Sequence, residues 1–398
     1  MDQKYKHNNL WLGIVSFLND VSSEMIFPIL PLFLVLVLNL NKSQIGVIEG
    51  VALAAASLFQ GFSGYVADRR GKRKDAVGLG YLLSAVTKPL LSLAQSGSQV
   101  LGLRFLDRAG KGIRDAPRDA LISFSTDARH RGRAFGFNRA LDTAGGAVGS
   151  LLVYFLLLRW SLTEETFRRV FAISFWPAIL GVMVLLLFVR DVPADGERAK
   201  RVFDWSKVSR HARFFFFISA IFSLANASYA FFILRATGGG NYLQSPLYYL
   251  IFSLVSGLLF LPIGRWTDRR GRARALLFGY LIFALTCIGF INANGALTWP
   301  LFILYGASIA LTDGVGRSLI SDLIHPDVRA TAFGVYHGLN GLALFGGSFI
   351  FGRLWDTLGM STPFFVSGGV SLLAALLFVV YLYKHRGHGH FGGSVFAR

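Results

Sequence analysis

Apolar segments of about 20 residues, the length that crosses a bilayer as a helix, recur along the whole chain and limit its possible folds more than any other feature. Of its 398 residues 53% are hydrophobic and only 16% are charged, against about 25% charged in soluble globular proteins. We therefore predict an all-α membrane protein with twelve transmembrane helices. The predicted segments are residues 10–38, 44–66, 76–94, 99–122, 133–158, 169–189, 213–235, 245–265, 275–293, 298–321, 329–352 and 362–383.

Alternate connections between these segments are strongly basic, for example "DRRGKRKD" after the second and "DRRGRAR" after the eighth. The opposite connections, such as "AQSGSQ" and "NANGAL", contain no Lys or Arg. The positive-inside rule then predicts a multi-pass protein of the cell inner (plasma) membrane with both termini cytoplasmic, including the tail "KHRGHGH". The formal charge of +18 is thus read as a topology signal, and no nucleic-acid partner is expected. The first apolar stretch is too long for a signal peptide and is expected to remain as a span.

The chain repeats itself after about 200 residues, since "GYVADRRGKRKD" at 64–75 returns as "GRWTDRRGRARA" at 264–275. "RAFGFNRALDTAGG" at 133–146 has a weaker echo in "TAFGVYHGLNGLAL" at 331–344. We predict two pseudo-symmetric six-helix bundles, residues 1–190 and 213–398, joined by a cytoplasmic central loop, 191–212. Parallel repeats of this kind are a transporter architecture, with the substrate site between the halves.

The repeated loop carries a family signature, because Gly64, Asp68, Arg69, Gly71 and Arg73 match the GxxxDRxGR/KR/K pattern of the major facilitator superfamily. Gly264, Asp268, Arg269 and Gly271 match its second copy, so the chain resembles this superfamily over essentially its whole length. The resemblance implies a conformational latch at these residues, and we expect Arg118 to be a latch partner. The arginines could instead serve only as topology determinants.

Two further patterns of that family are met in part. An arginine in the fourth helix followed by glycines corresponds to Arg104 with Gly110 and Gly112, which implies a role near proton coupling. The antiporter pattern GxxxGP corresponds to Gly145 and Gly149, with a serine in place of the proline.

The fourth segment contains "RFLDRAGKGIRDAPRD" at 104–119, with five basic and three acidic side chains. Residues 114–119 are expected nearer the cytoplasm, as gate or latch partners, while a rise of about 1.5 Å per residue places residues 107–113 around mid-bilayer. Unpaired ionisable groups at that depth cost at least about 2.5 kcal/mol each, so they must face partners or water. The spacing predicts i, i+4 pairs of Lys111 with Asp107 and with Asp115. Pro117 is expected to help end this helix. The remaining positive surplus favours an anionic or zwitterionic substrate.

Carboxylates in neighbouring segments could complete a polar cluster with this stretch, and Glu49, Lys88 and Arg139 could extend it. Asp20 and Glu24 lie one turn apart on the first helix, before a kink expected at Pro28 and Pro31. The proton-coupling candidates are Asp20, Glu24, Asp107 and Asp142. The substrate-binding candidates are Arg104, Arg108, Lys111, Asn226, Tyr229, His337 and Asn340. The same charges could instead form a permanent ion-pair network between helices.

No nucleotide-binding loop or hydrolase motif is present, so we expect neither ATP-driven transport nor enzyme activity. We predict a monomeric, proton-coupled secondary transporter of a small organic solute, without cofactor or metal, that works by alternating access in the lipid bilayer. Efflux is the first choice. The alternatives are proton symport uptake of an anionic metabolite, a lipid flippase, and a non-transporting membrane sensor or scaffold.

Overall fold

The computed structural model describes residues 7–70, 73–127, 130–192, 208–324 and 329–385, and only the backbone at 62, 64–70, 321–322, 329–331 and 384–385. Fifteen α-helices account for most of these residues. They are α1 (Asn8–Ile26), α2 (Leu30–Leu36), α3 (Lys42–Arg70), α4 (Arg73–Ser92), α5 (Gly97–Phe124), α6 (Arg131–Trp160), α7 (Glu164–Ile173), α8 (Phe175–Phe188), α9 (Arg210–Ala225), α10 (Tyr229–Thr237), α11 (Ser245–Arg270), α12 (Arg272–Ile291), α13 (Thr298–Leu323), α14 (Arg329–Leu358) and α15 (Thr362–His385).

Three of the spans consist of two helices each, namely α1 with α2, α7 with α8, and α9 with α10. The first break confirms the predicted kink, because α1 ends at Ile26 and Pro31 lies in the first turn of α2. Counting each pair once leaves twelve helical stretches, as predicted. Nine of those stretches within the described residues are apolar and long enough by themselves to cross a membrane. The other three are α4, α5 and α14, and α5 carries the charged run.

The prediction that Pro117 ends the fourth span is wrong, because α5 continues through it to Phe124. Proline removes one backbone donor, but membrane helices tolerate it where neighbouring groups satisfy the freed carbonyl. The consequence is that the whole charged run, 104–119, lies within a single helix.

The helices form two bundles with the same pattern of neighbours. In the first, α1 packs on α6 and α8, while α5 packs on α3 and α4. In the second, α9 packs on α14 and α15, while α13 packs on α11 and α12. The bundles meet through α3 with α14, α6 with α11, and α2 with α10. The central-loop boundary at 191–212 remains a prediction, since residues 193–207 lie outside the described ones.

Glycines allow the closest approaches within each bundle. A Cβ atom on Gly145 of α6 would lie 2.5 Å from the Phe17 carbonyl oxygen of α1. A Cβ on Gly347 of α14 would lie 2.2 Å from the Leu224 carbonyl oxygen of α9. Gly145 and Gly347 thus let α6 approach α1 and α14 approach α9, which are equivalent helix pairs in the two bundles.

Candidate functional site

A polar cavity of 270 Å³ lies between the two bundles. Its charged lining comes from α1, α5 and α6 of the first bundle, whereas α11 of the second contributes aromatic rings and hydroxyls. The charged lining residues are Asp20, Glu24, Asp107, Arg108, Lys111, Arg114, Arg139 and Asp142. The α11 residues are Tyr249, Phe252, Ser253 and Ser256. Five predicted cluster members, Asp20, Glu24, Asp107, Arg108 and Lys111, therefore do share one cavity.

The two carboxylates of α1 form no ion pair with any described residue. Asp20 accepts one hydrogen bond, from the Asn19 side-chain amide at 3.3 Å. Glu24 packs beside Gly146 of α6 and Tyr249 of α11, and its Oε2 atom is buried without a hydrogen-bond partner. A carboxylate with an unsatisfied oxygen in a partly buried cavity is a good proton acceptor, because protonation removes a poorly solvated charge.

The ion pairs of α5 differ from the predicted ones. Asp107 contacts Arg104 at 3.4 Å and Arg108 at 3.9 Å, and Asp115 contacts Arg114 at 3.8 Å. No described carboxylate oxygen lies within 4.0 Å of Lys111 Nζ, so the predicted i, i+4 pairs with Lys111 are wrong. The physical reason is that the arginines reach these carboxylates first, which leaves Lys111 facing the cavity.

Arg114 and Arg118, expected as gate or latch partners, also contact neighbouring helices of the first bundle, and their gate or latch role stays a prediction. Arg114 lines the cavity and donates to Ser84 Oγ at 3.1 Å. Arg118 contacts Asp142 at 3.8 Å and donates to Ser16 Oγ at 2.8 Å, so it links α5 to α6 and α1. One proton-coupling candidate, Asp142, is thus ion-paired in this structure, although its Oδ1 atom has no hydrogen-bond partner.

The cavity is open to solvent on one side and closed on the other. Lys111 and Arg139 are exposed although both line it. Arg139 lies within the first nine residues of α6, next to a basic connection, so the open side faces the basic end of the bundle. At the opposite end Glu49, Arg104 and Ser228 are buried. Among the described residues, the cavity lining is therefore exposed toward the basic end, and buried side chains lie at the opposite end.

A buried ion pair between Arg104 of α5 and Glu49 of α3 closes that opposite end. Arg104 Nη2 donates to both Glu49 oxygens, at 2.9 and 3.1 Å, and the two side chains are 3% and 2% exposed. Ser228 Oγ, at the break between α9 and α10, donates to Glu49 Oε2 at 3.1 Å. This contact joins the bundles. An isolated acid within an apolar segment was the available signal, but the sequence does not show its partner.

Arg104 was predicted to bind substrate, but it does not line the cavity. Its guanidinium lies 5.2 Å from the centre of the Phe27 ring, and Arg108 lies 4.3 Å from the same ring on the cavity side. Phe27 follows the last residue of α1, so the break in the first span places an aromatic ring between the cavity and the Glu49 pair.

The predicted candidates of the second bundle lie outside the cavity lining. Tyr229 packs behind Tyr249 with ring centres 5.1 Å apart, and Asn226 follows α9 at the same break. Asn340 is satisfied within its bundle by Ser223 Oγ at 2.7 Å. His337 lies between the Phe333 and Tyr336 rings. Substrate binding by these four residues remains a prediction.

The latch residues are described only in part. Gly64, Asp68 and Arg69 lie in α3 with backbone alone, and Gly71 lies outside the described residues. Arg73 is buried and stacks on Phe124, 4.4 Å from the ring centre.

The second copy is fully described. Gly271 has φ of +91° between α11 and α12, a conformation that favours glycine and permits the turn between these helices. Asp268 contacts Arg272 at 3.7 Å, and Arg269 is exposed in the last turn of α11. A Cβ on Gly264 would meet no described atom of another helix within 4 Å. The role of these residues as a latch remains a prediction.

Within the described ranges no group of three or more His, Cys, Asp or Glu side chains could hold a metal ion. The cavity chemistry available is therefore that of carboxylates, cations, hydroxyls and rings, which can bind a polar organic solute and exchange protons.

Comparison with known proteins places this architecture in a family. The model of the Major Facilitator Superfamily matches residues 12–249 and 239–394. The chain is 34% identical over 390 residues to an uncharacterised MFS-type transporter of Methanocaldococcus jannaschii, covering 94% of this chain and 95% of that protein. It is 27% identical over 351 residues to the multidrug resistance protein MdtH of Aeromonas hydrophila, covering 83% and 85%. The solved nucleoside transporter NupG shares the fold, with a TM-score of 0.78 at 16% identity over 94% of this chain and 99% of that one. On this evidence the chain belongs to the major facilitator superfamily.

Proposed function

We propose that this protein is a proton-coupled secondary transporter that moves a small organic solute through the polar cavity by alternating access. The observation that carries the proposal is the cavity itself, which lies between the bundles, is lined by four cations and four carboxylates, and is open at one end only. A scaffold protein needs no such water-accessible cavity, whose charges are costly at membrane depth.

The proton carriers in this proposal are Asp20 and Glu24. Both line the cavity, neither is ion-paired with a residue that the structure describes, and both lie on the helix whose break at Phe27 adjoins the closed end. Asp107 and Asp142 also line the cavity, but arginines hold them. Protonation of a carboxylate changes the charge that a solute meets, so occupancy by proton and by solute become linked.

Two directions of transport have support. Efflux is the first candidate, since the chain is similar to a protein named for multidrug resistance and the open end carries the basic connections, which we take as cytoplasmic. Proton symport uptake of an anion is the second candidate, and it is favoured by Lys111 and Arg139, which have no carboxylate partner within the described part of the chain. The protein would act as a monomer in the plasma membrane.

The test uses purified protein in liposomes that contain a pH-sensitive dye, with organic anions, cations and neutral solutes added outside. Protein-dependent movement of protons with one solute class is expected, inward with the solute for symport and opposite to it for antiport. Glu24→Gln should abolish the coupling, whereas Glu164→Gln, an exposed acid on α7, should leave it intact. Solute flux without proton movement would contradict the coupling, and no flux with any class would contradict transport.

A further inference from the structure

Two cations of the cavity have no carboxylate partner among the described residues. Arg108 and Arg114 each contact a neighbouring carboxylate of α5. Lys111 has none within 4.0 Å, and Arg139 has only the ring of Phe260, 5.1 Å from its guanidinium carbon. Both are exposed inside the cavity, so a bound anion would meet two uncompensated positive charges from adjacent helices, α5 and α6.

The charge balance of the lining links the binding of such an anion to the binding of one proton. Four cations and four carboxylates line the cavity, so it is formally neutral when all are ionised. Protonation of either Asp20 or Glu24 leaves one net positive charge, which a monoanion would restore to neutrality. The charged or titratable groups around these two carboxylates are Lys88 of α4, Arg108, Lys111, Arg114 and Arg118 of α5, Asp142 of α6 and Tyr249 of α11.

The wall of the cavity that α11 contributes indicates what kind of group the uncharged part of the ligand is. Tyr249 and Phe252 of α11 present rings to the cavity, and Ser253 and Ser256 present hydroxyls without charge. The volume of 270 Å³ equals about nine waters at about 30 Å³ each, which suits a solute of one ring or a short chain. Such a ligand would contact both bundles at once.

We infer that the cavity binds a small organic monocarboxylate, with its carboxylate on Lys111 and Arg139 and its unsaturated or aromatic body against Tyr249 and Phe252, together with one proton. This inference rests on the proposed function and selects symport as its coupling mode. It also explains why the α11 wall is uncharged, because rings and hydroxyls can accommodate the body without competing for the carboxylate.

The test is thermal unfolding in detergent at an acidic and a neutral pH, with three matched probes: benzoate, benzamide and benzylamine. A thiol-reactive dye reports unfolding, since Cys287 is the only cysteine of the chain and is buried. Benzoate is expected to raise the midpoint, more at acidic pH, while the amide and the amine do not.

Variants then locate the binding. Lys111→Met and Arg139→Met should each weaken carboxylate binding roughly tenfold or more, the effect of losing a hydrogen bond to a charged group. Arg159→Met, an exposed arginine in the last turn of the same α6, is the matched control and should bind normally. Lys111→Arg should retain binding.

Stabilisation by benzylamine instead, equal carboxylate binding in the methionine variants, or no response to any monocarboxylate would each overturn the inference. The proposed function has a separate readout, the opposed movement of the two ends described at the close of the Discussion, so either can fail without the other.

Discussion

Removal of the Glu49 carboxylate while Arg104 remains is expected to destabilise the protein by about 3 to 5 kcal/mol, the cost of an uncompensated buried charge. Arg104 is 3% exposed, and Asp107 at 3.4 Å is its only other carboxylate partner among the described residues. We expect the lower part of that range for Glu49→Leu, because Asp107 compensates the cation in part. Arg104→Met should cost a similar amount, since it leaves Glu49 with only the hydroxyl of Ser228.

The double variant Glu49→Leu with Arg104→Met separates the pair from its surroundings. Replacement of a whole buried ion pair by apolar groups is often neutral or stabilising, so the double variant should unfold close to the wild-type protein. The assay is chemical or thermal unfolding in detergent with the thiol dye on Cys287, which has no exposed surface until the protein opens. Glu164→Leu is the control, because the Glu164 side chain is 60% exposed beside Arg168 and should contribute less than about 0.5 kcal/mol.

Additive losses would refute this reasoning. If the double variant were as unstable as the two single variants together, Glu49 and Arg104 would act independently, and their contact would contribute no coupling energy.

Two further predictions concern the same closed end. Gly46→Ala would place a Cβ 2.3 Å from the Ser348 carbonyl oxygen of the other bundle, so the free energy of unfolding, followed with the thiol dye, should fall by about 1 to 3 kcal/mol. The control is Gly102→Ala, whose Cβ meets no neighbouring side chain or helix within 4 Å and should not lower stability. Equal effects of the two changes would contradict the close contact at Gly46. Asp356 of α14 accepts hydrogen bonds from Ser43 at the start of α3, from its amide at 2.8 Å and from its hydroxyl at 2.6 Å. Asp356→Ala should therefore lower the free energy of unfolding by about 0.5 to 2 kcal/mol in the same assay. An unchanged stability would show that this cap contributes nothing.

The fold follows from the sequence because its signals are local. Apolar length places each span, the basic connections give the orientation expected for them, and Pro28 with Pro31 predicts the break that the structure has after Ile26. Pro117 misleads for a physical reason, since a membrane helix can continue through proline when neighbouring groups satisfy the backbone.

The sequence predicts which helices contribute side chains to the site, but not which side chains pair with each other. The turn-to-turn spacing of Asp20 and Glu24 correctly predicts that both face one side, where the structure has the cavity. The partners could not be predicted, because a pair such as Arg104 with Glu49 depends on the rotation of two helices that are 55 residues apart in the chain. Lys111 illustrates the same limit, since its predicted partners lie on its own helix but are held by arginines.

The most direct test of alternating access measures two distances across the bundles by pulsed electron resonance, in a Cys287→Ser background. One pair of spin labels sits at the closed end, at Leu93 and Met360, which are 70% and 50% exposed. The other pair sits at the basic end, at Arg133 in the first turn of α6 and Arg270 in the last turn of α11. Acidification with benzoate, or Glu49→Gln, should lengthen the first distance in a fraction of molecules while the second shortens in the same fraction. Distances that stay fixed, or that change together in one direction, would contradict alternating access.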